Sequence, residues 1–318
     1  MDKINSINFK GGFYIKNPTA VKWNNIQKSI PGSKVVFQDI NQNGDKFFAV
    51  KDFDGHYSIE LFGFKLSFKH KCNFKYIPAT GYGVTEVKRP VQLIASMTSF
   101  PDRISTVHFA LNTLLRQTLK PDRIILYLAE TQFPNKENDL PDELLKLKDL
   151  GDEIKWCEDL KSYKKLIPAL KEFPNDIIIT TDDDIYYEED WLESLYREYE
   201  KHRDCIVCQR PRRLKLVDDK IVVISSRQSE NLDLSIPDYF NQQLGGTGCL
   251  YPPNSLYKDV FDIDKAFRLL PSNDDIYFWA MSVLNKTKIA VAKGFKGNIY
   301  QMDNGSNTLG SINACLDR

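Results

Sequence analysis

Between Ile177 and Thr181 the chain reads Ile-Ile-Ile-Thr-Thr, and three aspartates, Asp182, Asp183 and Asp184, follow at once. A run that is β-branched at every position suits a strand inside a sheet, with both faces covered. The segment beyond it carries Trp191, Leu192, Leu195, Tyr196 and Tyr199, which share one face of a helix. Strand, acidic loop and helix in that order place the acids off the carboxyl end of a buried strand. That is where open α/β sheets bind ligands.

The alternation extends upstream. VQLIASMTS from Val91 is a mostly apolar run that suits another strand buried on both faces. Ser105 or Thr106 stands where it can cap a helix in which Val107, Leu111, Leu114, Leu115 and Thr118 recur at helical spacing. Pro121 ends that helix, and RIILYL supplies a second strand. A polar helix around Asp142 to Leu150, a short strand from Ile154 to Cys157 and a helix from about Tyr163 to Lys171 complete a βαβα order, hence an α/β sheet. Residues 1–88 differ: they are rich in Lys, Asn and aromatics, with turn signals at Pro31-Gly32, Asn43-Gly44 and Asp54-Gly55. This spacing predicts a small N-terminal β-rich region, with Gly81-Tyr-Gly-Val and Lys88-Arg89-Pro90 as the connector to a second domain over 89–318.

Composition removes whole classes. With 318 residues the chain buries a sizeable core without disulfide or metal staples. A hydrophobic content of 42%, a charged content of 27% and a mean hydropathy of −0.40 fit neither a membrane span nor a disordered tail. Lys+Arg 43 against Asp+Glu 43 argues against a nucleic-acid partner held by whole-chain charge. The start, MDKINSINFKGGFY, lacks the apolar core of a secretory signal, so the expected location is cytoplasmic. Six scattered cysteines read as reduced thiols, and the Cys205-x-x-Cys208 pair in CIVCQ as buried strand residues and not a zinc knuckle.

On an extended backbone Asp182 and Asp184 project to one side and Asp183 to the other, the first two carboxylates about 7 Å apart. Their repulsion, about 2 kcal/mol at an effective dielectric of 20, is reversed by a divalent cation. Oxygen-only ligands favour Mg²⁺ or Mn²⁺, which complete their shell with substrate phosphates and water. The plainer alternative is that the acids cap the next helix, although one Asp suffices for that and the helix is expected to start nearer Glu188. A D-x-D phosphatase needs its nucleophile after the first strand of the domain, whereas Asp182 follows a later one.

This strand, D-x-D loop and helix resemble those of the GT-A glycosyltransferases, which use nucleotide-sugars. Ile94-Ala-Ser-Met-Thr-Ser-Phe-Pro-Asp-Arg-Ile104 is similar to the first-strand loop of a bacterial group of these enzymes associated with capsule and lipopolysaccharide assembly. Tyr163-Lys-Lys-Leu-Ile-Pro-Ala-Leu170 followed by IIITTDDDIYY resembles the central block of that group. Gly245-Gly-Thr-Gly-Cys-Leu-Tyr-Pro-Pro253 and Ser272-Asn-Asp-Asp-Ile-Tyr-Phe-Trp-Ala280 are similar to its two downstream signatures. The resemblance covers about residues 91 to 300 and implies a Rossmann-like GT-A fold: a mixed, mostly parallel sheet flanked by helices.

Site residues follow from the match. Asp184 is the first choice of metal ligand; Asp182 shares the metal or holds the ribose, and Asp183 stands beside them on the nucleotide. Thr98, Ser99 and Arg103 lie just past the first strand, where hydroxyls, amides and a guanidinium meet a base or phosphates. Glu130, at the end of RIILYLAE, contacts the nucleotide or stays a solvated strand end. Lys165 or Lys164 neutralises phosphate, with a solvated helix face as the ordinary role for one of them. Gly245 and Gly246 let backbone approach donor or acceptor, or make only a turn. By resemblance to inverting enzymes Asp275 is the base that deprotonates the acceptor hydroxyl and Asp274 orients acceptor or loop; the competing role for both is the helix cap. None of the four histidines follows Asp275, so the late His ligand of many GT-A enzymes has no counterpart, and Asp303 or water takes its place.

The sequence therefore predicts a metal-dependent glycosyltransferase, with Mn²⁺ or Mg²⁺, moving a sugar from a nucleotide donor, expected to be a UDP-sugar, to a surface glycan with inversion. For a lipid-linked glycan acceptor the enzyme works at the inner face of a membrane, where the basic and aromatic Phe62-to-Lys71 stretch would dock; an ordinary β-hairpin with a lysine edge explains that stretch as well. The alternatives are a noncatalytic glycan- or nucleotide-binding protein with a structural cation, and a nucleotidyltransferase.

Overall fold

The structure is a computed structural model, and it describes residues 36–40, 46–53, 56–61, 64–69, 82–87, 89–224, 234–292 and 300–303. The chain divides into two units, residues 1–80 with 298–303 and residues 81–297 with 304–318.

In the first unit, strands β1 (Val36–Ile40), β2 (Lys46–Phe53), β3 (His56–Leu61) and β4 (Phe64–Lys69) pair antiparallel in chain order. The β2–β3 register closes at Phe53 opposite His56, and the β3–β4 register at Leu61 opposite Phe64. Each closure leaves two residues for the connection, the shortest common hairpin. Within the Phe62-to-Lys71 stretch, Phe64–Lys69 is the second strand of a hairpin with β3, and the remaining residues of the stretch lie outside the described ones. Tyr300–Asp303, which the sequence reading left in the second domain, pairs antiparallel with β1, Val36 opposite Asp303.

The second unit is built on a seven-stranded sheet. Its parallel half is β5 (Leu93–Thr98), β6 (Arg123–Ala129), β7 (Asp152–Cys157) and β8 (Ile177–Thr181). The full order is Ile289–Val291, Ile206–Cys208, Cys249–Tyr251, β8, β5, β6, β7, so the Ile-Ile-Ile-Thr-Thr run is the middle strand. Cys249–Tyr251 runs antiparallel to both neighbours, and the other strands are parallel to β8. This mixed, mostly parallel sheet with its helices is the GT-A-like fold that the resemblance implied.

All five residues of β8 are buried, as an apolar run without polar alternation requires. Each isoleucine taken from water adds on the order of 2 kcal/mol. The helix Trp191–Lys201 turns Trp191, Leu192 and Leu195 inward and packs on the far half of the sheet. Other elements are shorter than their periodicity predicts. The helix over Val107–Leu114 ends before Thr118, and the polar segment from Asp142 is one α turn, Asp142–Leu145, followed by a 3₁₀ stretch to Leu150. Thr106 occupies the cap position, but its hydroxyl donates back to the Arg103 carbonyl. Cys208 is buried in its strand, as expected, whereas Cys205, also a free thiol, is half-buried and lies one residue before that strand.

Candidate active site

The carboxyl ends of β5 and β8 meet the loop that follows Gln243. The chain leaves β8 after Thr181, so strand alternation no longer governs the three aspartates. Asp183 and Asp184, predicted on opposite sides, both pair with one guanidinium: Arg103 Nη1 lies 2.8 Å from Asp183 Oδ1 and 3.1 Å from Asp184 Oδ2. Ser99 donates to Asp183 Oδ2 at 2.5 Å. Burial pushes the Asp183 carboxyl up, and Arg103 and Ser99 pull it back toward the charged form. Asp182 faces elsewhere, accepting from Lys165 Nζ at 2.7 Å. Its side chain is 32% exposed against 6% for Asp183 and 8% for Asp184, which makes it the most accessible of the three. The helix begins only at Trp191, with Asp190 as its cap residue, so none of the three acids caps it.

The helix Asp274–Leu284 brings a second acidic group to the same place. Its cap is Asn273, whose side chain accepts from the Ile276 amide at 3.2 Å. The cap role is thereby filled, and Asp274 and Asp275 are left for other work in the first turn. Asp274 Oδ2 lies 3.2 Å from Lys165 Nζ. Asp275 Oδ1 accepts from the Gly245 amide at 3.0 Å. Burial, and after it the neighbouring Asp274, pushes the Asp275 carboxyl up to about 7, against the pull of Lys165 and the Gly245 amide. Asp275 keeps a partly exposed surface.

Lys165 is the shared counter-ion. Burial works against its charge, yet Asp182, Asp274 and Asp275 together hold it well above the ordinary lysine range. Neither Lys164 nor Lys165 is solvated: Lys164 is buried too, its ammonium on Gln132 Oε1 at 3.1 Å and Asp159 Oδ1 at 3.3 Å. The sequence expectation of a solvated helix face fails because residues 161–165 form a 3₁₀ turn packed against β5 and β6.

The glycine loop is seated directly on these groups. A Cβ built on Gly245 would fall 2.6 Å from Asp275 Oδ1 and 3.1 Å from Lys165 Nζ, and one on Gly246 would fall 2.5 Å from Asp182 Oδ2. Gly248 has a φ of +102°, and a Cβ there would enter the Trp191 ring at 2.1 Å. Sequence reasoning missed the residue that fastens this loop. Tyr187 accepts from the Asp182 amide at 2.7 Å and donates to the Gly246 carbonyl at 2.9 Å, while Trp191 Nε1 donates to the Thr247 carbonyl at 2.9 Å. Their signal was the aromatic pair Tyr186-Tyr187 and the first residue of the following helix, both of which read as packing.

Two other expected residues make contacts of their own. Thr98 donates its hydroxyl to the Tyr127 carbonyl at 2.8 Å, a bond between neighbouring strands. Glu130, one residue past β6, is exposed and pairs with Lys136 at 3.1 Å. Asp303 ends the strand beside β1 in the other unit, and its side chain lies outside the described residues.

Among the described residues no group of three or more His, Cys, Asp or Glu side chains is arranged to hold a metal ion. The donor set fits a hard cation in the way nucleotide enzymes hold Mg²⁺ or Mn²⁺, through one or two carboxylates with phosphate oxygens completing the shell. Asp182 is the accessible carboxylate, backed by a glycine cradle that a Cβ would fill, whereas Asp184 is buried on Arg103.

Residues 164–262 match the family model described as Glycosyl transferase family 2. The chain thus carries a segment of that glycosyltransferase enzyme class, including Lys165, the three aspartates and the glycine loop. Among solved structures, it is similar to S. aureus TarS 1-349 in complex with UDP-GlcNAc, at 13% identity and a TM-score of 0.46 over 70% of this chain and 61% of that one. It is similar also to TarS 1-349 in complex with UDP, at 14% identity and a TM-score of 0.43 over 66% and 60%. GalNAc-T7 with UDP, GalNAc and Mn²⁺ matches at 11% identity and a TM-score of 0.42 over 66% and 46%. The chain spans about three fifths of the TarS structures it matches. No curated protein sequence matches it significantly. No helix among the described residues is long and apolar enough to cross a membrane.

Proposed function

We propose that this protein is an inverting, metal-dependent glycosyltransferase that transfers a sugar from a UDP-sugar to a surface-glycan acceptor. The observation that carries this reading is the convergence of two acidic groups from distant parts of the chain, Asp182 and Asp274-Asp275, on one buried lysine and one glycine loop.

The two groups divide the work. Asp182 and Asp184 would hold Mg²⁺ or Mn²⁺, which when bound would stabilise charge on the departing diphosphate. Arg103 and Ser99 hold the Asp183 carboxyl and fix the loop from behind. Asp275 takes the proton of the acceptor hydroxyl at its carboxylate as that oxygen attacks the anomeric carbon from the face opposite the diphosphate. An acid raised to about 7 is matched to that task near neutral pH. The Gly245 amide aims the carboxylate through the bond to Oδ1. A lipid-linked acceptor would bring the protein to the inner face of a membrane.

Release of UDP from a UDP-sugar panel, with and without Mn²⁺, tests the reading. It expects metal-dependent release that disappears in Asp184→Ala, and transfer with inverted anomeric configuration. Tight UDP binding without turnover would replace it by a noncatalytic nucleotide-binding protein, and pyrophosphate as product by a nucleotidyltransferase.

A further inference from the structure

Lys165 joins the two halves of the site. Its ammonium is 2.7 Å from Asp182 Oδ1, at the donor end, and 3.2 Å from Asp274 Oδ2, at the acceptor end. The Lys165 side chain is 6% exposed, and Gly245 lies so close that a Cβ there would come 3.1 Å from the ammonium. One cation therefore pairs with two carboxylates, and Asp275 stands beside Asp274 in the same helical turn. A phosphate-binding lysine would present its ammonium to solvent, whereas this one is enclosed and already occupied by carboxylates. Arg103 serves Asp183 and Asp184, which leaves Asp182 to Lys165 alone among the ion pairs of the described residues.

We propose that Lys165 is a positioning residue that couples the donor end of the site to the acceptor end. Resting on the glycosyltransferase reading, the proposal adds an order to it. Without donor, the ammonium is divided between Asp182 and Asp274 and competes with any divalent cation for Asp182. Once Asp182 turns to a cation and diphosphate, the ammonium belongs to the Asp274-Asp275 pair and holds that pair in place for the acceptor. Donor engagement and acceptor readiness are then linked through one side chain, and by thermodynamic reciprocity a change at Asp274 is felt at Asp182.

The test is Mn²⁺ binding to the full chain in the absence of nucleotide, followed by the electron paramagnetic resonance of free Mn²⁺. Lys165→Met is expected to bind Mn²⁺ about tenfold more tightly than wild type, within the usual range of coupling between sites. Asp274→Asn is expected to change the Mn²⁺ affinity of wild type and to have no effect in the Lys165→Met background. In transfer assays Lys165→Met should lower kcat with the donor KM unchanged. Lys165→Gln, which keeps a polar donor without the charge, should shift Mn²⁺ binding in the same direction, and it carries the test if the methionine variant does not fold. Unchanged or weaker Mn²⁺ binding in folded Lys165→Gln, an equal Asp274→Asn effect in both backgrounds, or a raised donor KM at constant kcat would each overturn the proposal. Wild type that turns over normally in any of these cases leaves the glycosyltransferase reading standing. Wild type that binds no Mn²⁺ even with UDP removes both.

Discussion

The amide of Gly245 donates to Asp275 Oδ1 at 3.0 Å, and a Cβ on Gly245 would fall 2.6 Å from that oxygen. The glycine is therefore both the donor that aims the proposed base and the only residue type small enough to come so near. Gly245→Ala should push the carboxylate aside and lower kcat at least tenfold while the donor KM holds. Steady-state kinetics with saturating donor measures this, and an unchanged kcat would remove the glycine contact from the mechanism.

Gly248 depends on a different neighbour. Gly248→Ala adds a left-handed backbone strain at φ +102° to a collision with the Trp191 ring. The combined cost is expected at about 2–4 kcal/mol. Urea denaturation followed by Trp fluorescence gives the value, and a loss below 1 kcal/mol would mean that the Trp191 ring moves away freely.

The Asp275 carboxyl sets the expected pH dependence. A base titrating at about 7 gives a kcat that rises roughly tenfold per pH unit below 7 and levels above it. The sign for stability is opposite: an acid held higher in the folded than in the unfolded chain costs stability as pH rises from about 4 to about 7. Asp275→Asn, which stays neutral, should lose about 10² to 10⁴ in kcat and be more stable than wild type at pH 8. The stability difference should close near pH 4. Thermal melts across that range decide it; a difference independent of pH would show that the carboxyl is not raised.

Arg103 answers for two acids at once. Arg103→Met leaves Asp183 and Asp184 without the guanidinium, and loss of one partner from a buried pair costs about 3–5 kcal/mol. Adding Asp183→Asn should recover part of that loss. A double-mutant cycle in denaturant reads the coupling, and additive effects would show that the pair is not energetically linked.

Glu130 separates two roles by the kind of change it produces. As one half of an exposed pair with Lys136, its replacement in Glu130→Gln should alter stability by less than about 0.5 kcal/mol. Calorimetric titration with UDP then shows whether the same side chain reaches the nucleotide: a clear drop in affinity assigns it there, and no change leaves it a solvated strand end.

Much of the frame was legible in the chain itself. The Ile-Ile-Ile-Thr-Thr run announced the middle strand, because a segment with no polar face has to be covered on both sides. The helices at Trp191 and Asp274 were announced by their apolar faces, and the glycine-rich segment by residues that only close approach requires. These are local properties, set by covalent geometry and by the period of apolar side chains.

What each acid faces was decided only in three dimensions. Alternation predicted Asp182 beside Asp184, but the strand ends at Thr181, and past that point direction is set by partners 80 or more residues away, Ser99 for Asp183 and Arg103 on the same carboxylate. Of Lys164 and Lys165, one was expected on phosphate and the other on a solvated helix face, since nothing in DLKSYKK shows that a 3₁₀ turn packs both against β5 and β6. Tyr187 gave no sign that its hydroxyl ties Asp182 to Gly246. A chain encodes propensity within a few residues, whereas charge pairing follows an inverse-distance law in space that takes no account of sequence separation, so the wiring of this site belongs to the tertiary structure.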